Sequence, residues 1–310
     1  MAGQHTTLRL TLTQNKPLIQ CNTSIKWNTQ PAAQWPDIES VEVWRDFNLS
    51  NLNNGMYASL LDFAVPEREL ACPRAYQMLA GVTINRPNDI NHLISRNDAL
   101  MQATLNMPKS RLRLHPELAL SHAYRAHNMS TIAHVEDLER RANVDHVIAL
   151  DQVPNRNLVV GLGRPSSKFG IGQIVRDHGP IQAKISRHIW PLRQLGHLCS
   201  VANTPFGYIQ TDKELVACYF VKNGSPNTFR VYIMPIPWSS HGLTVLTTDL
   251  ALWWLCMMAL SHPYPQIRDI AAFGAAPAPP PPEDRFQLLE LGSYDPTNPS
   301  TWNTELLGSP

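Results

Sequence analysis

Apolar and polar positions trade places most regularly in the middle of the chain. Val144-Asp145-His146-Val147-Ile148-Ala149-Leu150 reads as a strand, the polar stretch 151–157 as a turn, and Leu158-Val159-Val160 as a second strand. A helix is predicted over 181–201, ending at Asn203-Thr204-Pro205. Strands over 206–210 and 215–220 bracket the turn 211–214, and another strand runs over 230–238. Strand, hairpin, strand, helix, strand is the pattern of an α/β core.

Residues 243–261 form the most apolar run. Its length would just allow a membrane span. Asp249 lies inside it, though, basic flanks are missing, and Thr244, Thr247 and Thr248 crowd its start. Thr248-Asp249 suits a helix cap, so a buried core helix over 250–260 is predicted instead. Upstream, helices are expected over 55–63, 73–82 and 91–107, the last closed by Pro108. Residues 40–47 are amphipathic and begin the folded unit. In 7–13, Leu8, Leu10 and Leu12 alternate as in an edge strand, but a loosely ordered arm is the favoured reading. Three regions result: a flexible arm over 1–34, a single domain over 35–270 with its N-terminal helices in 35–110, and a Pro-rich disordered tail over 271–310.

Composition narrows the function. With 310 residues there is ample chain for a core, and a formal charge of +1 provides no excess of Lys and Arg for tracking a polyanion. Five cysteines without a CxxC pair argue against a disulfide scaffold or a zinc site. They fit a reducing compartment, and residues 1–34 lack a secretory signal, so an intracellular, cytoplasmic location is expected. His115, His122, His127 and His134 are rich in one segment but badly spaced for a metal: His122 and His127 stand about 140° apart around a helix. Leu158-Val159-Val160-Gly161-Leu162-Gly163 imitates a dinucleotide-binding loop, yet Ser166 takes the third glycine's place and Pro165 disrupts the turn. Ser166 and Ser167 form no GxSxG elbow.

Order and spacing across 140–270 resemble the fungal proteins built on a PD-(D/E)XK nuclease-like domain. Val144-Asp145-His146-Val147, Leu158-Val159-Val160-Gly161, Pro191-Leu192-Arg193-Gln194-Leu195 and Asn203-Thr204-Pro205-Phe206-Gly207-Tyr208-Ile209-Gln210 carry the likeness, which Pro237-Trp238 and the apolar run continue. The resemblance implies a mixed central sheet flanked by helices, an α/β (α+β) fold. It also implies a site in which an Asp and a Glu hold a divalent ion beside a Lys. Here Asp145 matches the Asp, Leu162 stands where the Glu belongs, Arg164 stands where the Lys belongs, and Gln194 matches a helix Gln. Leu coordinates no metal and Arg is a poor base, so the nuclease centre reads as dismantled, with no metal and no cofactor.

Three function classes follow. The first is a retired nuclease fold whose cleft holds an apolar small molecule, with Asp145, Arg164 and Gln194 as catalytic residues and Leu162, Tyr208, Trp238 and His241 as substrate-binding residues. Without metal or cofactor, chemistry there would act by orientation, which suits a cyclisation like those of fungal secondary metabolism. The second is a pseudo-nuclease binding nucleic acid or a protein partner through Arg111, Arg113, Arg140, Arg141, Arg164 and Lys168. The third is a surviving metal-dependent nuclease recruiting Asp151. Near-neutral charge and the lost Glu favour the first, and neither oligomeric state nor substrate is legible.

Overall fold

The computed structural model describes residues 5–24, 35–55, 57–70, 72, 74–111, 119–124, 144–151, 156–171, 187–222 and 228–261. Its elements in chain order are β1 (His5–Thr7), α1 (Leu8–Leu12), β2 (Gln20–Cys21), β3 (Asp37–Val43), α2 (Leu49–Asn54), α3 (Ala58–Leu61), β4 (Ala64–Pro66), α4 (Ala75–Leu79), β5 (Thr83–Ile84) and α5 (Asn91–Arg111). They continue with β6 (Ala119–Tyr124), β7 (His146–Asp151), β8 (Arg156–Gly163), α6 (Trp190–Ala202), β9 (Phe206–Gln210), β10 (Glu214–Lys222), β11 (Thr228–Pro237) and α7 (Thr248–Ser261).

Seven strands make one mixed sheet in the order β3-β11-β10-β9-β8-β7-β6. Neighbours are antiparallel except β3 with β11 and β8 with β9. A parallel β8–β9 pair needs a crossover, and α6 lies on that connection. The architecture is therefore mixed α/β with helices on the sheet, as expected.

Alternation along the strands sorts side chains to two faces. At Gly207 the nearest atoms are side-chain atoms of Leu195 and Cys199 on α6. At Gly163 they belong to Ile90 and Ile94, at the start of α5. Gly207 pairs with Val160, three residues from Gly163, so α6 covers one face and α5 the other. Helix α7 packs against α5 and against β8 to β11. Leu250 to Leu260 are all buried, as an all-round apolar helix requires. No helix among the described residues is long and apolar enough to cross a membrane.

Several elements differ from expectation. The N-terminal segment is not a loose arm where it is described. Thr7 caps α1 by accepting from the Leu10 amide, and Leu8 and Leu12, four apart on one helix face, are fully buried while Leu10 is exposed. The alternation that suggested a strand was half of a helical pattern. Helix α5 runs on past Pro108 to Arg111. The helix expected over 55–63 shortens to the single turn of α3, and α2, capped by Asn48, lies ahead of it. Strand β8 runs on past Val160 through Gly161-Leu162-Gly163. Helix α6 is described from Trp190 and ends on left-handed Asn203 (φ 53°), a usual helix stop. The Pro-rich tail, the start of the predicted 181–201 helix, and His115, His127 and His134 lie outside the described residues.

Candidate functional site

Asp145 immediately precedes β7, and its amide donates to the Gly161 carbonyl at 3.2 Å. Its carboxylate reaches across the strand end. Oδ2 accepts from the Gly163 amide (3.0 Å) and from Arg164 Nη1 (2.9 Å). Arg164 Nη2 donates to Gln194 Oε1 at 2.7 Å. Thus three residues expected at the site, from just before β7, just after β8 and the second turn of α6, form one hydrogen-bonded chain. Asp145 is buried, whereas the Arg164 side chain keeps 22% exposure and Gln194 is half-buried. The planar guanidinium bridges a carboxylate and an amide at once, which a Lys ammonium matches less well. Gln194 spends its oxygen on Arg164, which leaves its Nε2 amide as a donor for another partner.

The segment after Arg164 is pinned to the sheet. The Arg164 amide donates to Gln210 O (2.9 Å), and the Lys168 and Phe169 amides donate to Pro165 O. Asp212 accepts from Ser166 N (2.6 Å) and Ser166 Oγ (2.7 Å), while Glu214 Oε1 accepts from Ile171 N (3.1 Å). Phe169 and Ile171 are fully buried. Arg164 is therefore held on a rigid base.

His146 follows Asp145 and so points to the α5 face. Its Nε2 lies 3.3 Å from Asp98 Oδ1 on α5, and its Nδ1 lies 2.6 Å from the Tyr208 hydroxyl. A carboxylate only accepts, so the neutral imidazole carries its proton on Nε2 and Nδ1 accepts from Tyr208. Asn97 Nδ2 donates to Gln210 Oε1 at 3.0 Å, and Gln102 donates to Asp98. Burial pushes the Tyr208 phenol well above its ordinary pKa. His146, Tyr208, Asn97, Asp98 and Gln210 are thus buried polar groups supplied with partners, and Gln102 reaches Asp98 from the exposed side of α5.

A second buried cluster joins the N-terminal segment to α7. Asp249 takes both terminal nitrogens of Arg96 and lies 3.4 Å from Lys16 Nζ, which also donates to Thr248 Oγ1 at 2.6 Å. Nζ stands 4.9 Å from the Trp238 ring centroid. All three charged side chains are almost fully enclosed. Two cations share one carboxylate, and burial outweighs the attraction of Asp249 to lower the Lys16 pKa to about 8. Arg96 and Lys16 hold the Asp249 carboxyl below the ordinary range, against the effect of burial.

The remaining expected residues are placed elsewhere. Leu162 is at 0% exposure within the main core, and Tyr208 is equally enclosed with its hydroxyl committed to His146, so neither lines an open cleft. Trp238 is buried against Leu79, Ile84, Ile90 and Leu93, with Nε1 donating to Pro17 O at 2.8 Å. His241 is exposed and lies 2.9 Å from the Ser239 carbonyl. Asp151 ends the strand that Asp145 precedes, about 20 Å away at the usual rise per residue, so it cannot complete a metal site with Asp145. Among the described residues no three or more His, Cys, Asp or Glu side chains converge as metal ligands. Of the basic residues assigned to a nucleic-acid face, Arg113, Arg140 and Arg141 lie outside the described residues, as does the Arg111 side chain.

Sequence reasoning missed Asp98, His146, Lys16 and Arg96. One signal was available: Arg96-Asn97-Asp98 puts three polar residues in succession on a helix whose neighbours Leu93, Ile94 and Leu100 are core. Comparison with protein-family models, with curated proteins and with solved structures finds no match.

Proposed function

We propose that this chain carries a degenerate PD-(D/E)XK-type nuclease fold whose Arg164–Gln194 pair binds an oxygen-bearing, otherwise apolar small molecule. The chemistry it suits is a cofactor-free rearrangement such as a cyclisation. The observation that carries the reading is the Asp145–Arg164–Gln194 chain. The carboxylate that would hold an ion is occupied by a guanidinium and a backbone amide, and Leu162 is sealed in the core. What remains at the surface is a cation and an amide donor. Such donors suit a carbonyl or carboxylate oxygen, and fixing a flexible substrate by that oxygen lowers the entropic part of a ring-closing barrier. Asp145 serves here as a brace for Arg164 rather than as a base.

Burial of Leu162, Tyr208 and Trp238 narrows this proposal: the apolar lining of the ligand site comes from other residues. The test is thermal unfolding against a panel of apolar ketones and carboxylic acids, since a ligand that binds only the folded chain raises the midpoint. The expected result is stabilisation by panel members that is lost in Gln194→Leu. Stabilisation by short DNA instead, falling steeply with salt, would support the pseudo-nuclease reading.

A further inference from the structure

Residues 13–24 cross the end of the sheet where Arg164 emerges, and they are tied down at both ends. At the first end the Thr13 carbonyl accepts from the Gly242 amide (2.9 Å), and the Pro17 carbonyl accepts from Trp238 Nε1 (2.8 Å). Between these two points Lys16 turns inward to Thr248, Asp249 and the Trp238 face. Further on, β2 pairs with β5, and the Asn22 amide donates to Ile84 O at 2.8 Å. At the far end the Thr23 hydroxyl meets the Ser167 hydroxyl at 2.6 Å, 144 residues away in sequence.

That last contact falls within 164–171, the loop that begins with Arg164. Asp212 and Glu214 hold this loop from the sheet side through Ser166 and Ile171. Thr23 holds it from the other side. We propose that residues 13–24 are a strap that positions the Arg164 loop, with Lys16 as its latch and Thr23 as its point of contact. Lys16 is then a remote positioning residue for Arg164, and its relevance to ligand binding rests on the reading of the Arg164–Gln194 pair given above.

The latch is built to be releasable. A buried Lys and Arg on one carboxylate leave a positive charge uncompensated, so docking the strap costs more than a neutral contact would. Lys16 faces Asp249 and Thr248 on α7, Arg96 on α5 and the Trp238 ring, with Cys72 close enough to influence Arg96.

Hydrogen exchange of the full chain, read by mass spectrometry without any ligand, tests the strap. In Thr23→Val, exchange across 164–171 should rise about fivefold, the scale of one lost hydrogen bond, while residues 13–18 keep their protection. Thr23→Ser, which retains the hydroxyl, should restore wild-type exchange in the loop. Lys16→Ala should raise exchange about tenfold in both 13–24 and 164–171. Loop protection unchanged in Thr23→Val, or a Lys16→Ala effect confined to the strap, would overturn the proposal. Should Lys16→Ala fail to fold, the Thr23 pair of variants decides alone. No ligand enters these measurements, so their failure is separate from failure of the proposed binding function.

Discussion

His146 and Tyr208 meet across Gly161. The three residues sit side by side on β7, β8 and β9, and the phenol reaches the imidazole because the strand between them carries no side chain. A Cβ at Gly161 would lie 2.4 Å from Tyr208 Cε1, which no packed core tolerates. Gly161→Ala should therefore destabilise the fold by about 3 kcal/mol, measured as a lowered urea midpoint. Tyr208→Phe removes only the hydroxyl and strands the Nδ1 acceptor. It should cost about 1–2 kcal/mol. Equal effects from both would mean that the hydrogen bond, not the packing of the ring, is what matters at this crossing.

Lys16 and Arg96 share the Asp249 carboxylate. Asp249→Leu should cost about 3–5 kcal/mol, because two buried cations lose their counter-charge. Chemical denaturation of Asp249→Leu beside Lys16→Met checks the asymmetry. Removing the surplus cation is expected to cost far less than removing the shared anion.

Stability should rise with pH between about 8 and 10.5 on account of Lys16. In the fold its pKa is about 8, against the ordinary lysine value of 10.5. Inside that window the unfolded chain binds more protons, so raising the pH favours the folded state, and the penalty is fully present below the window. The swing is about 3 kcal/mol. Buried thiols and tyrosines act in the opposite direction at alkaline pH, since Cys72 is pushed up to about 11 and Tyr208 is also raised. The quantity to follow is hence the difference between wild type and Lys16→Met. A flat difference across the window would contradict the buried, charged latch.

Arg164→Ala should cost about 1–3 kcal/mol, less than a fully buried pair, because part of the guanidinium is solvated. Arg164→Lys should recover some of that stability through Asp145 but fail to engage Gln194 as well. Urea unfolding of the two variants gives the first result, and the Gln194 side-chain amide resonances give the second.

The α/β core was legible because its strands are strongly alternating or continuously apolar. The strand 144–150, the 206–210 and 215–220 pair and the helix at 248 all lie within a few residues of their expected places. The grouping of Asp145, Arg164 and Gln194 came from the family resemblance rather than from spacing, and the three side chains do meet in one hydrogen-bonded chain. What escaped notice had a physical reason in each case. The strand was expected to stop at Val160, whereas β8 continues through Gly161 and Gly163, whose missing side chains make room for Tyr208, Ile90 and Ile94. Asp98 meets His146 from 48 residues away, and Lys16 meets Asp249 from 233 away. No local periodicity encodes contacts of that range. Leu8 and Leu12 fit a helix face as well as a strand, and only the Thr7 cap distinguished the two.

The central claim is that Asp145 braces Arg164 and is no longer a metal ligand. Mn²⁺ binding to wild type, Asp145→Ala and Arg164→Ala, followed by electron paramagnetic resonance, tests it most directly. The account predicts that wild type and Asp145→Ala bind Mn²⁺ equally weakly. Tight binding in wild type that disappears in Asp145→Ala would contradict it and return the site to metal-dependent phosphate chemistry.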